Sequence, residues 1–273
     1  CSYGRTRWRK PPPNVVRDVS FSVETGQTFA LVGESGSGKT TLARSIAGIS
    51  AAKAGTVSLD GEPLAAVASD RSRDQLRDVQ FVFQNPASSL NPRHRVGQII
   101  GRPLEKFENH SGQTVERLLT AVRLDPALAT RYPRELSGGQ RQRVAIARAL
   151  AAEPRLMICD EITSALDVSV QADIMDLLAE LQATRGVSYL FITHDLELVR
   201  RIAHRVGVLV DGALCELGTA AEVFGSPRHP YTRTLLTWSQ SPGLDEIDGG
   251  DDLVDRERPR WRWASSTHGY LDT

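Results

Sequence analysis

Apolar residues in this chain fall into short runs that alternate with helical stripes. Residues 15–26, VVRDVSFSVETG, alternate apolar and polar side chains, the pattern of an antiparallel strand that ends at a glycine turn. TFALVG at 28–33 is a short apolar run stopped by glycine, which predicts a buried strand. KTTLARSIAG at 39–48 has helical spacing and a glycine near its end. GTVSLDGEPL at 55–64 reads as a hairpin turned at Asp60-Gly61. VQFVFQNP at 79–86 is a strand broken by Asn85-Pro86.

From about 85 to 154 the prolines multiply between short helical patterns, which predicts a small helical subdomain inserted into a core of 1–84 and 155–225. Its last element, GGQRQRVAIARALAAEP at 138–154, is an amphipathic helix stopped by Pro154. RLMICDE (155–161) is a buried strand that ends in two acids. VQADIMDLLAELQATRG (170–186) is a helix closed by glycine, and VSYLFITHD (187–195) is another buried strand. RVGVLVDGALCELG (205–218) is a hairpin around Asp211-Gly212. Strands alternating with helices predict an α/β fold with a mainly parallel sheet, and the early alternating strands predict an added antiparallel layer. Residues 1–240 form the main domain in this reading and 226–273 a C-terminal extension. From about 240 the chain turns rich in Asp, Gly and Arg and loses its period, so it reads as a loose tail. Trp261 and Trp263 within it are candidates to dock on a partner or on the parent domain.

Composition narrows this picture without redirecting it. With 273 residues, 40% hydrophobic and 24% charged, the chain is long enough for one large domain with a normal core. The formal net charge is zero, so no global attraction to nucleic acid or anionic membrane follows, and no nucleic-acid partner is expected. Cys1, Cys159 and Cys215 form neither a CxxC pair nor a Cys/His cluster, which argues against a zinc site or disulfide framework and for reduced thiols. No apolar run approaches the ~18 residues of a membrane span, and no signal peptide is visible. The first residue is Cys rather than Met, which fits an excerpt of a longer chain, including one half of a fused pair.

The chemistry starts at residues 33–40. GESGSGKT fits G-x-x-x-x-G-K-[ST], with Gly33, Gly38, Lys39 and Thr40 in the defining positions. The glycines, Gly36 among them, let the backbone curl so that successive N–H groups face phosphate. Glu34, Ser35, Ser37 and Thr41 complete the candidate nucleotide-binding loop. Lys39 supplies a point charge for β and γ phosphates, and Thr40 a hydroxyl for Mg²⁺. The loop follows a strand and opens a helix, so the positive helix end aims at the same place. LMICDE then delivers Asp160 and Glu161 to the carboxyl edge of the sheet, where α/β proteins bind ligands. Asp160 is the candidate Mg²⁺ carboxylate. Glu161 is the candidate base for the attacking water. Gln84 and His194 also sit at strand ends; Gln84 is a candidate for Mg²⁺ or the lytic water, and His194 for the γ phosphate. Taken singly, each is more often a polar strand end; the common position beside two acids selects them.

A second phosphate-type turn opens the helix of ELSGGQRQRVAIARAL (135–150). A helix N-terminus offers an anion only about 0.3–2 kcal/mol. A micromolar site needs roughly 8 kcal/mol. Ser137, Gly138, Gly139 and Gln140 are therefore able to complete a site but not to make one. On residues alone, an N-cap on a surface helix is the preferred reading of Ser137, and Arg141 and Arg143 read as its solvated face.

These pieces, in the order GESGSGKT, Gln84, LSGGQ (136–140), LMICDE, SALD (164–167) and His194, resemble the ATP-binding-cassette (ABC) ATPases over about residues 15–225. The resemblance implies a P-loop ATPase fold and ATP with Mg²⁺. It implies a head-to-tail dimer with a second ABC ATPase domain, in which each LSGGQ closes on the ATP of the other. It places SALD, Ser164 to Asp167, along the dimer seam. It also implies an aromatic near the start that stacks on adenine, with Tyr3 first and Trp8 second.

FQNPASSLNPRHRVGQII (83–100) and SPRHPYTRTLL (226–236) further resemble the ATPase subunits of peptide/nickel-type importers, the dipeptide and oligopeptide permease group. That implies two transmembrane permease subunits, an extracytoplasmic solute-binding protein at one remove, and a peripheral place on the cytoplasmic membrane face. Members often carry a cysteine cluster for an iron–sulfur centre after this segment. This chain has no cysteine after Cys215, so none is expected within these residues. Competing readings are a carbon–phosphorus-lyase-type or other soluble enzyme complex, an importer of a non-peptide solute such as nickel, a regulatory module that holds ATP without splitting it, and an exporter ATPase.

Overall fold

The computed structural model describes residues 15–107, 112–240, 260–263 and 269–272. Tyr3 and Trp8 lie outside the described residues.

The strands are β1 (Thr28–Val32), β2 (Ser58–Leu59), β3 (Glu62–Pro63), β4 (Val79–Val82), β5 (Leu156–Asp160), β6 (Ser188–Ile192), β7 (Arg205–Val210), β8 (Ala213–Thr219), β9 (Arg260–Trp263) and β10 (Gly269–Asp272). The helices are α1 (Lys39–Ile46), α2 (Arg73–Asp78), α3 (Pro86–Ser89), α4 (Val96–Lys106), α5 (Val115–Ala121), α6 (Gly138–Leu150), α7 (Val168–Arg185), α8 (Leu196–Ile202), α9 (Ala220–Gly225) and α10 (Pro230–Gln240). The main sheet has the order β4-β5-β6-β1-β7-β8-β10-β9. Strands β4 through β7 in that order are parallel; β8, β10 and β9 add antiparallel. The parallel strands are apolar along their length because helices cover both faces. Every residue of β1 and β6 is buried.

Both Asp-Gly turns are as expected. Asp60 and Gly61 have φ of 51° and 82°, and Asp211 and Gly212 have 46° and 81°. Two consecutive positive φ angles are the signature of a hairpin turn whose twist matches its strands. Gly212 has a second reason to lack a side chain, since an added Cβ would lie 2.0 Å from the Val15 carbonyl oxygen.

The segment 15–26 corrects the sequence reading, because it forms no strand. Its alternation is real: Val19, Phe21 and Val23 pack against the cluster built on Phe29 and Leu31, and the Phe21 and Phe29 rings stack at 4.4 Å. What it lacks is a ladder partner; its backbone tie to the β7–β8 turn is Arg17 N–H donating to the Gly212 carbonyl at 2.7 Å. Asp18, at φ 50°, also interrupts the extended run. The antiparallel layer is therefore reduced to the β2–β3 hairpin.

The C-terminal stretch holds a second difference. Within the region read as a loose tail, β9 and β10 pair with each other, and β10 pairs with β8 at Gly269↔Leu217 and Tyr270↔Glu216. RWRW alternates over four residues, too few to stand out from the charged sequence around it.

Three apolar clusters carry the packing. The largest joins the helical subdomain to one face of β4, β5 and β6, with Val144, Ile146 and Leu150 of α6 at its centre. The second lies between the sheet and α1. The third gathers β1, β7, β8, α8 and α10. Together they hold the carboxyl ends of the parallel strands at one sheet edge, where Gly33, Gln84, Glu161 and His194 follow β1, β4, β5 and β6.

Candidate active site

The loop after β1 is shaped by three glycines with positive φ: Gly33 at 144°, Gly36 at 87° and Gly38 at 103°. An added Cβ on Gly33 would fall 2.1 Å from the Leu209 carbonyl oxygen, so this loop passes too close to β7 for a side chain. Gly36 has open space around it, and its requirement is conformational alone. Gly38 is the N-cap of α1 and offers no side-chain cap. The amides at the start of α1 therefore lack a side-chain acceptor, the condition for receiving an anion. Glu34, Ser35 and Gly36 are exposed at the rim, Thr41 is exposed in the first turn of α1, and Ser37 is buried beneath.

Lys39 lies inside this curl. Its Nζ donates to the Gly33 carbonyl at 2.7 Å, to the Glu34 carbonyl at 2.6 Å and to Ser37 Oγ at 3.4 Å. Burial lowers the Lys39 pKa, and the charges of Glu161, Asp160 and Glu34 oppose that shift. An ammonium whose hydrogen bonds go to two carbonyls and a hydroxyl, all neutral, is readily attracted to a phosphate that brings full charge. Thr40 Oγ1 donates to Asp160 Oδ1 at 3.0 Å. Asp160 is buried, and desolvation raises its pKa, opposed by the Thr40 hydrogen bond and by Lys39 and Arg44. A hydroxyl and one buried carboxylate are hard oxygen donors of the kind Mg²⁺ takes alongside substrate phosphates. Among the described residues there is no group of three or more His, Cys, Asp or Glu that could hold a metal ion.

Glu161 is the hub. Its φ is 47°, an uncommon conformation for a non-glycine residue, and its N–H donates to the Ile192 carbonyl of β6 at 2.9 Å. Its Oε2 accepts from Gln84 Nε2 at 2.7 Å, and its Oε1 lies 3.4 Å from His194 Nδ1. Gln84 Nε2 also reaches Ser164 Oγ at 3.3 Å, and Ser164 Oγ donates to the Glu161 carbonyl at 3.0 Å. Three strand ends thus converge on one carboxylate, with the SALD loop folded against it.

The LSGGQ turn is built differently. Ser137 is the N-cap of α6: its Oγ accepts from Gln140 N–H at 3.2 Å, and Gln140 Oε1 accepts from Ser137 N–H at 2.9 Å. This is a complete capping box. Ser137 is exposed, and neither it nor Gln140 hydrogen-bonds to residues 33–40 among the described residues. Gly138 and Gly139 are ordinary residues of α6, set against Leu166 and Val170, where an added Cβ would come within 3.5 Å and 2.7 Å. The LSGGQ and SALD segments are therefore neighbours. Arg141 and Arg143 correct the sequence reading, since they are not a solvated face. Arg141 Nη1 donates to the Leu136 carbonyl at 2.7 Å, and Arg143 Nη1 to the Val122 carbonyl at 3.1 Å. Arg148, not singled out in the sequence, donates to the Ser89 carbonyl at 2.6 Å and pins α3 to α6. Tyr231, likewise not singled out alone, accepts from the Glu34 N–H at 3.2 Å.

Comparison with known proteins agrees with this geometry. The family described as ABC transporter matches residues 16–164. A probable peptide ABC transporter ATP-binding protein of Sinorhizobium fredii is 47% identical over 236 residues, 85% of this chain and 67% of that protein. The oligopeptide transport ATP-binding protein OppF of Bacillus subtilis is 44% identical over 266 residues, 94% of this chain and 84% of that protein. Among solved structures, the dimeric ATP-binding cassette MJ0796 bound to ADP and Pi in a post-hydrolysis state superposes with a TM-score of 0.66 at 29% identity, covering 78% of this chain and 94% of that one. The chain belongs to the ABC transporter ATP-binding family, and it is an ATPase of that family.

Proposed function

We propose that this chain is the energy-coupling subunit of an importer for oligopeptides or dipeptides, and that ATP hydrolysis at the site above drives it. The observation that carries the catalytic part is the hub at Glu161, whose backbone sits at positive φ and whose carboxylate meets Gln84 and His194. Lys39 and the loop amides from Gly36 to Thr41 hold the β and γ phosphates. Glu161 takes the proton of a water that attacks the γ phosphorus, the P–O bond to ADP breaks, and inorganic phosphate leaves. Gln84 orients that water, and His194 donates to the γ phosphate. Thr40, Asp160 and Gln84 would hold Mg²⁺, which supplies charge neutralisation at the β and γ oxygens when bound.

The cargo assignment rests on the relatives named for peptide transport, whose matched regions take in FQNPASSLNP and HPYT. Partners in this reading are a second ATPase domain, head to tail, and two transmembrane subunits. No helix among the described residues is long and apolar enough to cross a membrane, so the chain would reach the bilayer through those subunits. The test is co-purification with transmembrane subunits, followed by phosphate release with and without a peptide-loaded binding protein. Peptide stimulation supports the reading. Co-purification with soluble enzyme subunits alone, as in a carbon–phosphorus-lyase-type complex, contradicts it.

A further inference from the structure

The HPYT segment lies far from the phosphate loop in sequence but touches it in space. Its placement begins at Glu216 of β8, which is fully buried and accepts two backbone amides, from Arg228 at 2.9 Å and from His229 at 3.1 Å. A buried side chain that accepts two backbone N–H groups holds its turn firmly, because releasing either amide would cost a buried hydrogen bond. His229 is itself buried, and its Nδ1 accepts from the Tyr231 N–H at 3.2 Å. The Tyr231 ring then packs into the cluster that contains Ala30 and Val32 of β1, the strand that feeds the loop. Its hydroxyl accepts from the N–H of Glu34, the first peptide after Gly33. Burial pushes the Tyr231 pKa up, as does the neighbouring Glu34 carboxylate, so the hydroxyl stays neutral.

We infer that Tyr231 is a positioning residue of the phosphate loop, through which the HPYT turn fixes the rim peptide at Glu34. Glu34 lies exposed at the start of the curl, between Gly33, which is packed close to β7, and Gly36, which has open space around it. The Lys39 Nζ bond to the Glu34 carbonyl means that the same residue is gripped from both sides. The C-terminal segment thus sets the entrance geometry of the nucleotide site. The inference rests on the reading of residues 33–40 as the phosphate seat.

The experiment compares wild type with Tyr231→Phe, which keeps the ring and removes the hydroxyl. Thr237→Val on the exposed face of α10 serves as the control. Mg-ATP affinity is measured by calorimetry, thermal midpoint by scanning, and amide exchange by mass spectrometry over residues 33–40. The expected result is Mg-ATP affinity lower by about 3- to 10-fold, the loss of one net hydrogen bond. Exchange should quicken at Glu34, with β1 and β6 unchanged and the midpoint preserved. Unchanged affinity and exchange in Tyr231→Phe would overturn the inference, as would faster exchange spread across the sheet, which marks general damage. A wild-type chain that binds no Mg-ATP would instead overturn the phosphate-seat reading and this inference with it.

Discussion

Two glycine-rich helix starts in this chain look alike in sequence and differ in what they leave unsatisfied. At residues 33–40 the glycines take positive φ, the N-cap of α1 has no capping side chain, and a buried lysine makes do with carbonyls. At residues 136–140 the glycines are helical, and Ser137 with Gln140 closes a capping box. The first region is a nest shaped for an anion; the second is a finished helix end with only its exposed rim to offer. Against about 0.3–2 kcal/mol for a helix end, the second cannot hold nucleotide alone. It is suited to complete a site that already holds one.

The catalytic side of this contrast is the most sensitive to change. Glu161→Gln should lower phosphate release by about 10²- to 10⁴-fold, the usual worth of a positioned base, while Mg-ATP still binds by calorimetry. Lys39→Met should weaken Mg-ATP binding by roughly 10- to 100-fold, the loss of charge-assisted bonds to phosphate. If instead Ser137→Ala weakened binding by the isolated chain as much as Lys39→Met, the contrast would fail.

Smaller effects sharpen it. Ser137→Ala should cost about 1 kcal/mol of stability by urea melting, as for any lost N-cap. Gly138→Ala should raise stability by about 0.5–1 kcal/mol, because Gly138 is helical and its added methyl meets Leu166 at ordinary contact distance. The same change should lower steady-state turnover in the paired complex, since a bare backbone is lost at the closing surface.

Asp160 has a folded pKa raised by burial. The folded chain therefore holds its proton more tightly, so this residue's contribution is present below the ordinary carboxylate pKa and is lost as pH rises through the raised value. Relative to Asp160→Asn, the metal-free wild-type chain should lose melting temperature over that window. Thermal scans across acidic to neutral pH check it.

Much of the site was legible because each part is local. GESGSGKT carries its glycines and lysine within eight residues, and the apolar runs before Asp160 and His194 place both at strand ends. Convergence on Glu161 was visible only as an expectation from common strand position. Other features required tertiary information. The alternation of 15–26 reports burial on one side but says nothing about a ladder partner. Arg141 and Arg143 seek carbonyls that no periodicity marks. Tyr231 and Glu34 are 197 residues apart, and HPYT on its own describes only a turn before a helix.

In the proposed reading, LSGGQ serves the ATP of another domain. A mixed dimer with Ser137→Arg on one side, and nucleotide hydrolysis followed at each site separately, tests it most directly. The site built on the unaltered domain's phosphate loop should lose hydrolysis while the altered domain's own loop still binds and splits ATP against the intact LSGGQ opposite. Loss confined to the altered domain's own phosphate loop would contradict it.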